Sequence, residues 1–227
     1  MLATVRFLVR IVAWTAGAIT VPILLGAALG RLGGIAGAVA SVIATLWLWL
    51  WLPRTAHAAF EAGRYAPAAR RYRILGALAA TRDRERASLL SRAGCHVAAG
   101  ELELAERVIA TLPTGELDAA ERAVWLNNRA CAALASGSDP HAALALVDEA
   151  TALRPDVAAV QHTRAMALLA VGRIDEAIAV LDGMRASGEL SPRLEADRCH
   201  DLARAWTQKG EAAYAEDYRL RAEALRR

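Results

Sequence analysis

The chain has 227 residues, 56% of them hydrophobic, with a mean hydropathy of +0.25 and a formal net charge of +3. Residues 53–86 carry eight arginines against three carboxylates, whereas residues 87–227 carry 16 basic groups against 21 acidic ones. A net acidic distal region argues against a nucleic-acid partner, and three cysteines, Cys95, Cys131 and Cys199, form no disulfide framework and fit a reducing compartment.

The first 52 residues contain no Asp or Glu and only three arginines, Arg6, Arg10 and Arg31. Two uncharged runs follow one another, 20 residues from Ile11 to Gly30 and 21 from Leu32 to Leu52. Each has the ~20 residues that cross a bilayer core as a helix. The link between them permits only a tight turn, so residues 1–53 are expected to form a transmembrane helical hairpin with spans near 7–30 and 32–52. A cleaved signal peptide is the rival for residues 1–30, but its apolar core is long and a second span follows at once. Gly26, Gly30, Gly33 and Gly37 recur every three or four residues and let two helices approach closely. They pack the hairpin on itself or, as the sharper alternative, join two copies.

The second run ends in "LWLWLWL". A strict alternation reads as a strand, yet an unpaired strand leaves its backbone unsatisfied in lipid. A helix end is expected instead, with Trp47, Trp49 and Trp51 spread around it as anchors at the membrane–water interface. Pro53 and Arg54 mark the exit. Arg54, Arg64, Arg70, Arg71 and Arg73 follow, against Arg31 alone in the turn, so both termini and the distal domain are expected in the cytoplasm. The same five arginines are expected to touch anionic lipid headgroups, each worth about 1 kcal/mol.

Beyond residue 53 one pattern recurs. Turn glycines Gly63, Gly100, Gly137, Gly172 and Gly210 are spaced 37, 37, 35 and 38 residues apart. Each follows an apolar helical stretch and precedes a short polar turn and a second helix. Small residues recur in the first helices (Ala93, Ala130, Ala165) and in the second (Ala68, Ala105, Ala143, Ala177, Ala215). This resembles the tetratricopeptide repeat, whose period is 34 residues with a glycine turn, small residues where helices cross and a closing proline, here Pro155. Several repeats are three or four residues too long and the family's aromatic opening residue is mostly absent. The register is firm for 124–191. The expected fold is all-α: the hairpin, then a right-handed α-solenoid of about five helix pairs over 54–227.

Chemistry is sparse. Cys95–His96 and Cys199–His200 offer metal-ligand types, but they lie three repeats apart in a stack where each repeat touches its neighbours. Asp148–Glu149, Asp175–Glu176 and Glu216–Asp217 are adjacent on helices and do not share a face. No nucleophile elbow, phosphate loop or metal helix occurs. Neither a catalytic residue, a metal nor a cofactor is expected.

The resemblance implies a concave groove lined by first helices and suited to peptides. Its lining would include Leu90, Gly94 and Val97, then Asn127, Cys131 and Leu134, then His162, Met166 and Leu169, then His200 and Arg204. The Lys/Asn carboxylate clamp of chaperone-binding members is missing. An apolar groove with a flexible Met suits an amphipathic helix or apolar peptide. The expected function is a non-catalytic scaffold or adaptor that holds a protein partner at the inner face of a bacterial membrane. The alternative is an accessory subunit of a larger membrane complex, assembled through the hairpin.

Overall fold

The computed structural model describes residues 2–226, with side chains at 16, 17, 19–185 and 188–226. Every regular element among them is helical. The chain divides into two compact units, residues 1–92 and 93–227. The compact boundary falls inside a helix, whereas the change in composition comes near residue 53.

In the first unit, α1 (Leu2–Leu46) is interrupted at Gly30, where φ is 72° and ψ is −164°. No L side chain adopts that conformation readily. The chain reverses there. A Cβ on Gly37 would fall 2.9 Å from Pro22 Cα, and one on Gly34 would fall 3.4 Å from Gly26 Cα. An uninterrupted helix would hold residues 22 and 37 about 22 Å apart. The predicted glycines therefore lie between two limbs of one chain. By length and composition one apolar helical run, Ile19–Glu61, could cross a membrane, and the reversal lies within it. Its outer surface is apolar: Leu29 is 69% exposed, Leu32 81%, and Ile23, Val39, Ile43 and Leu46 are all exposed.

The Trp/Leu alternation is a single π-helical turn, Trp47–Trp51, which runs straight into α2 (Leu52–Glu61) with Pro53 in its first turn. Leu48 and Leu52 are buried, while Trp47 and Trp51 stay exposed. Next come α3 (Tyr65–Ala77) and α4 (Arg82–Ala98), which carries the chain into the second unit.

The second unit continues with α5 (Leu102–Ile109), α6 (Ala119–Ala135), α7 (Pro140–Leu153), α8 (Ala158–Ala170), α9 (Ile174–Gly183), α10 (Pro192–Gln208) and α11 (Ala212–Leu225). Consecutive helices pack together, and α8 also packs on both α6 and α10. All five turn glycines have positive φ, between 67° and 80°. In each, the residue after the glycine donates its N–H to a carbonyl five back, as Arg173 N does to Leu168 O at 2.9 Å. That bond and the glycine's own to Leu169 O satisfy carbonyls the helix end leaves over. Three helices are capped by side chains as well. Asp118 and Glu121 form a capping box on α6, Asp139 caps α7, and Ser191 caps α10.

The predicted small residues pack where helices cross. Ala93, Ala130, Ala165, Ala105, Ala143 and Ala177 are fully buried, as is Ala68 in the first unit. Ala215 is only half-buried, and α11 buries Ala222 instead. Leu126, Val147, Leu168, Leu181 and Leu202 fill the core between them. The extra length of the repeats lies in links: a 3-10 turn at Thr114–Glu116 and another at Met184–Ser187.

Candidate functional site

The contacts of α8 with α6 and α10 place three first helices side by side. Polar side chains pair across each contact, α6 with α8 and α8 with α10. Cys131 on α6 lies 3.2 Å, Sγ to Oγ1, from Thr163 on α8. Thr163 in turn donates to Ala159 O at 3.0 Å. His162 on α8 places Nε2 2.9 Å from Asp201 Oδ2 on α10. Arg204, one turn on, donates to Asp201 Oδ1 at 2.9 Å. Burial pushes the Asp201 carboxyl up, but the His162 hydrogen bond and the charges of His162 and Arg204 outweigh it and hold the group below the usual aspartate range. Asp201 is thus a buried anion that ties α8 to α10.

Asn127 stands one turn before Cys131 on α6. Its Nδ2 reaches only as far as Cys131 Sγ at 4.0 Å, and its buried Oδ1 accepts no hydrogen bond among the described residues. A buried amide oxygen left without a donor is costly. Asn128 faces the other way, and a Cβ on Gly94 would fall 3.3 Å from its Oδ1. A side chain at Gly94 would press on the Asn128 amide.

The thiols are not activated. Burial pushes Cys95 up to about 11, although the Arg193 charge opposes it. Burial likewise raises Cys131 against its hydrogen bond to Thr163, and raises Cys199 together with the Glu195 charge. A protonated thiol is neither a nucleophile nor a good metal ligand. Among the described residues no three His, Cys, Asp or Glu side chains gather as a metal cage. His96 is engaged by Glu101, Nδ1 to Oε2 at 2.6 Å.

A family model for the tetratricopeptide repeat matches residues 133–196, the two central helix pairs with their Gly137 and Gly172 turns. Over that stretch the chain is similar to the tetratricopeptide repeat. A solved structure titled "MamA MSR-1 C2" is 19% identical over 78% of this chain and 95% of its own, with a TM-score of 0.41, which adds nothing to the assignment. No curated protein matches the chain in sequence.

Not every residue expected to line a groove of these repeats is free to do so. Leu169 is 4% exposed and sits in the core cluster of the second unit, and Leu134 packs against that cluster. Leu90 belongs to the first unit and is 3% exposed. Val97, Asn127, Cys131, His162 and Met166 are half-buried, and His200 and Arg204 are exposed. Leu90 and Leu169 are therefore corrected from groove lining to core.

The tetratricopeptide reading missed Asp201 and Thr163. Asp201 had a signal, since it stands three residues before Arg204 on one helix face. Of the basic cluster, Arg54, Arg64, Arg70 and Arg73 are exposed and have no carboxylate partner among the described residues. Arg71 differs. It is half-buried and donates Nη1 to Thr55 O at 2.7 Å, which clamps α3 to α2. Trp49 departs from the other two tryptophans: the Arg84 guanidinium lies over its ring, 3.8 Å from the centroid.

Proposed function

We propose that this protein is a non-catalytic scaffold, anchored in a bacterial inner membrane by its N-terminal hairpin, that holds a protein partner on the α6–α8–α10 face of its tetratricopeptide repeats. The observation that carries this reading is Asn127. Half-buried Asn127 stands beside an ordered His162–Asp201–Arg204 chain, and an amide side chain so placed pairs with the backbone of a bound peptide segment. Half-buried Met166 and Val97 add adaptable apolar contact nearby. Raised thiol pKa values remove the strongest nucleophiles from consideration.

Anchoring rests on the reversal at Gly30 and the apolar outer surface of both limbs. In water so many exposed large apolar residues form an aggregating patch; in lipid they are solvated. Two spans, with the termini and repeats cytoplasmic and the Gly30 turn outside, follow from the arginine asymmetry.

Cross-linked affinity capture from membranes tests the scaffold, comparing wild type with Asn127→Leu/Arg204→Ala. Both positions lie off the core, so helicity should be retained. A partner lost from the double variant supports the groove. Identical partners in both proteins would refute it and move the interface to the hairpin. The exposed apolar surface of the hairpin favours that second reading, an accessory subunit of a larger membrane complex. Replacing residues 1–53 with a foreign anchor separates the two, because a scaffold survives the exchange and a subunit does not.

A further inference from the structure

The first compact unit contains a half-open cavity of about 340 Å³ that the scaffold reading does not use. It lies where the π-turn Trp47–Trp51 meets α3 and the start of α4. Such a volume is in the range of small-molecule sites, about 300–1,000 Å³. Leu48, Tyr72, Leu75 and Ala87 give it a mostly apolar wall. Trp49 and Arg84 form its rim, stacked at 3.8 Å.

Arg84 has no carboxylate partner among the described residues; the neighbouring Asp83 is taken by Arg86 at 2.6 Å. Its guanidinium is positioned by an aromatic face rather than neutralised by an anion. A stacked guanidinium keeps its edge N–H donors free for a phosphate. The π-turn is part of the construction. An inserted residue in a helix re-aims the side chains beyond it, and here it sends Leu48 inward while Trp49 meets Arg84. Exposed Arg54, Arg70 and Arg73 on α2 and α3 add positive charge without carboxylates to cancel it.

We infer that this cavity is a binding site for one anionic phospholipid, with an acyl chain against Leu48, Leu75 and Tyr72 and the phosphate on Arg84. An apolar pocket with one unneutralised guanidinium at its mouth matches an amphiphile of that charge, and Leu48 and Trp49 of its wall belong to the turn whose Trp47, Leu50 and Trp51 are exposed. The inference rests on the reading of that limb as membrane-embedded. It differs from general attraction of headgroups to basic residues, because it names one lipid, one cavity and one arginine outside the cluster that the sequence singles out.

The test uses the full-length protein in mild detergent, offered equal amounts of phosphatidylglycerol and phosphatidylcholine, with bound lipid counted by native mass spectrometry. Wild type should retain one phosphatidylglycerol with about fivefold preference, the effect of one interfacial arginine. Arg84→Ala, at an exposed position, should lose that preference with its melting curve unchanged. Ala87→Trp, also exposed on the cavity wall, should lose both lipids. Arg107→Ala, an exposed arginine outside both the cavity and the basic cluster, should behave as wild type. An Arg84→Ala protein that keeps the preference would overturn the site, as would equal losses from Arg84→Ala and Arg107→Ala. So would displacement of the lipid by the soluble headgroup glycerophosphoglycerol, which would show that the acyl chain is not held. Flotation of wild type with phosphatidylcholine vesicles reports the anchor separately. Failure to float while Arg84-dependent retention persists would remove the anchor and leave the pocket.

Discussion

Pro22 and Gly37 touch across the hairpin: a Cβ on Gly37 would sit 2.9 Å from Pro22 Cα and 2.9 Å from Leu25 Cδ1. Gly33 is tighter still, with Leu25 O 2.3 Å from the same imagined atom. Glycine here is a requirement of backbone approach, so Gly33→Leu should force the limbs apart. Overpacking of this kind costs about 1–3 kcal/mol. Gly17, with nothing within 4 Å, is the matched control. In detergent, Gly33→Leu should melt several degrees below wild type and Gly17→Leu should not. Equal melting of the two variants would mean that the limbs are not packed through these glycines.

The turn glycines obey a different constraint. Gly137 has open space around its Cα but a φ of +67°. Gly137→Ala should therefore destabilise the repeats by about 1–2 kcal/mol, the cost of a left-handed conformation for an L residue. Gly183, at the end of α9, also has open space but a φ of −65°. Gly183→Ala should stabilise by about 0.4–1 kcal/mol through the unfolded chain. Urea melts of the two variants should move in opposite directions, and shifts of the same sign would contradict the assigned turns.

Those glycines explain why the repeats were legible in the sequence. Only glycine suits a positive φ at each turn, so spacing alone located all five turns, and the buried alanines followed from close helix crossings. Groove membership was less legible. Leu169 lies one turn after Ala165 and near Met166, yet it belongs to the core cluster whereas Met166 is half-buried, a difference that tertiary packing decides. The Trp/Leu alternation carried a strand period but became one π-turn, a local widening that no hydrophobic period encodes. Arg84 gave no signal, because its partner, Trp49, lies 35 residues earlier and contacts it by tertiary packing.

Arg198 supplies a test of electrostatics. Its side chain is buried on α10 and donates to Glu195 at 2.7 Å and 2.8 Å and to Leu181 O at 3.2 Å. The Arg198 hydrogen bond, despite burial, takes the Glu195 carboxyl down to about 2, and Arg185 helps. The folded pKa lies below the unfolded value of about 4.3. The stabilisation is thus complete above about pH 4.5 and is lost as pH falls toward 2. In Glu195→Gln, denaturant stability should fall less steeply over that window than in wild type. Arg198→Ala, which leaves Glu195 half-buried without its main partner, should cost about 3–5 kcal/mol at neutral pH. An unchanged acid limb in Glu195→Gln would show that the pair carries no linkage.

The three thiols offer the last test, and it also reaches the membrane topology. Burial raises Cys95, Cys131 and Cys199, so little thiolate exists at pH 7.5 in the folded state. Maleimide should label the native protein slowly and all three sites rapidly in urea. A fast-reacting native cysteine would contradict their burial. Low background makes an added probe readable. Ser138 is exposed on the Gly137 turn, so a Ser138→Cys protein presents one accessible thiol on the repeats. An impermeant maleimide should miss it in intact cells and label it after permeabilisation, because five arginines follow the second limb and one lies in the Gly30 turn. Labelling in intact cells would invert the topology and move the scaffold to the opposite side of the membrane. The Gly30 reversal would still stand, since it depends on backbone packing and not on orientation.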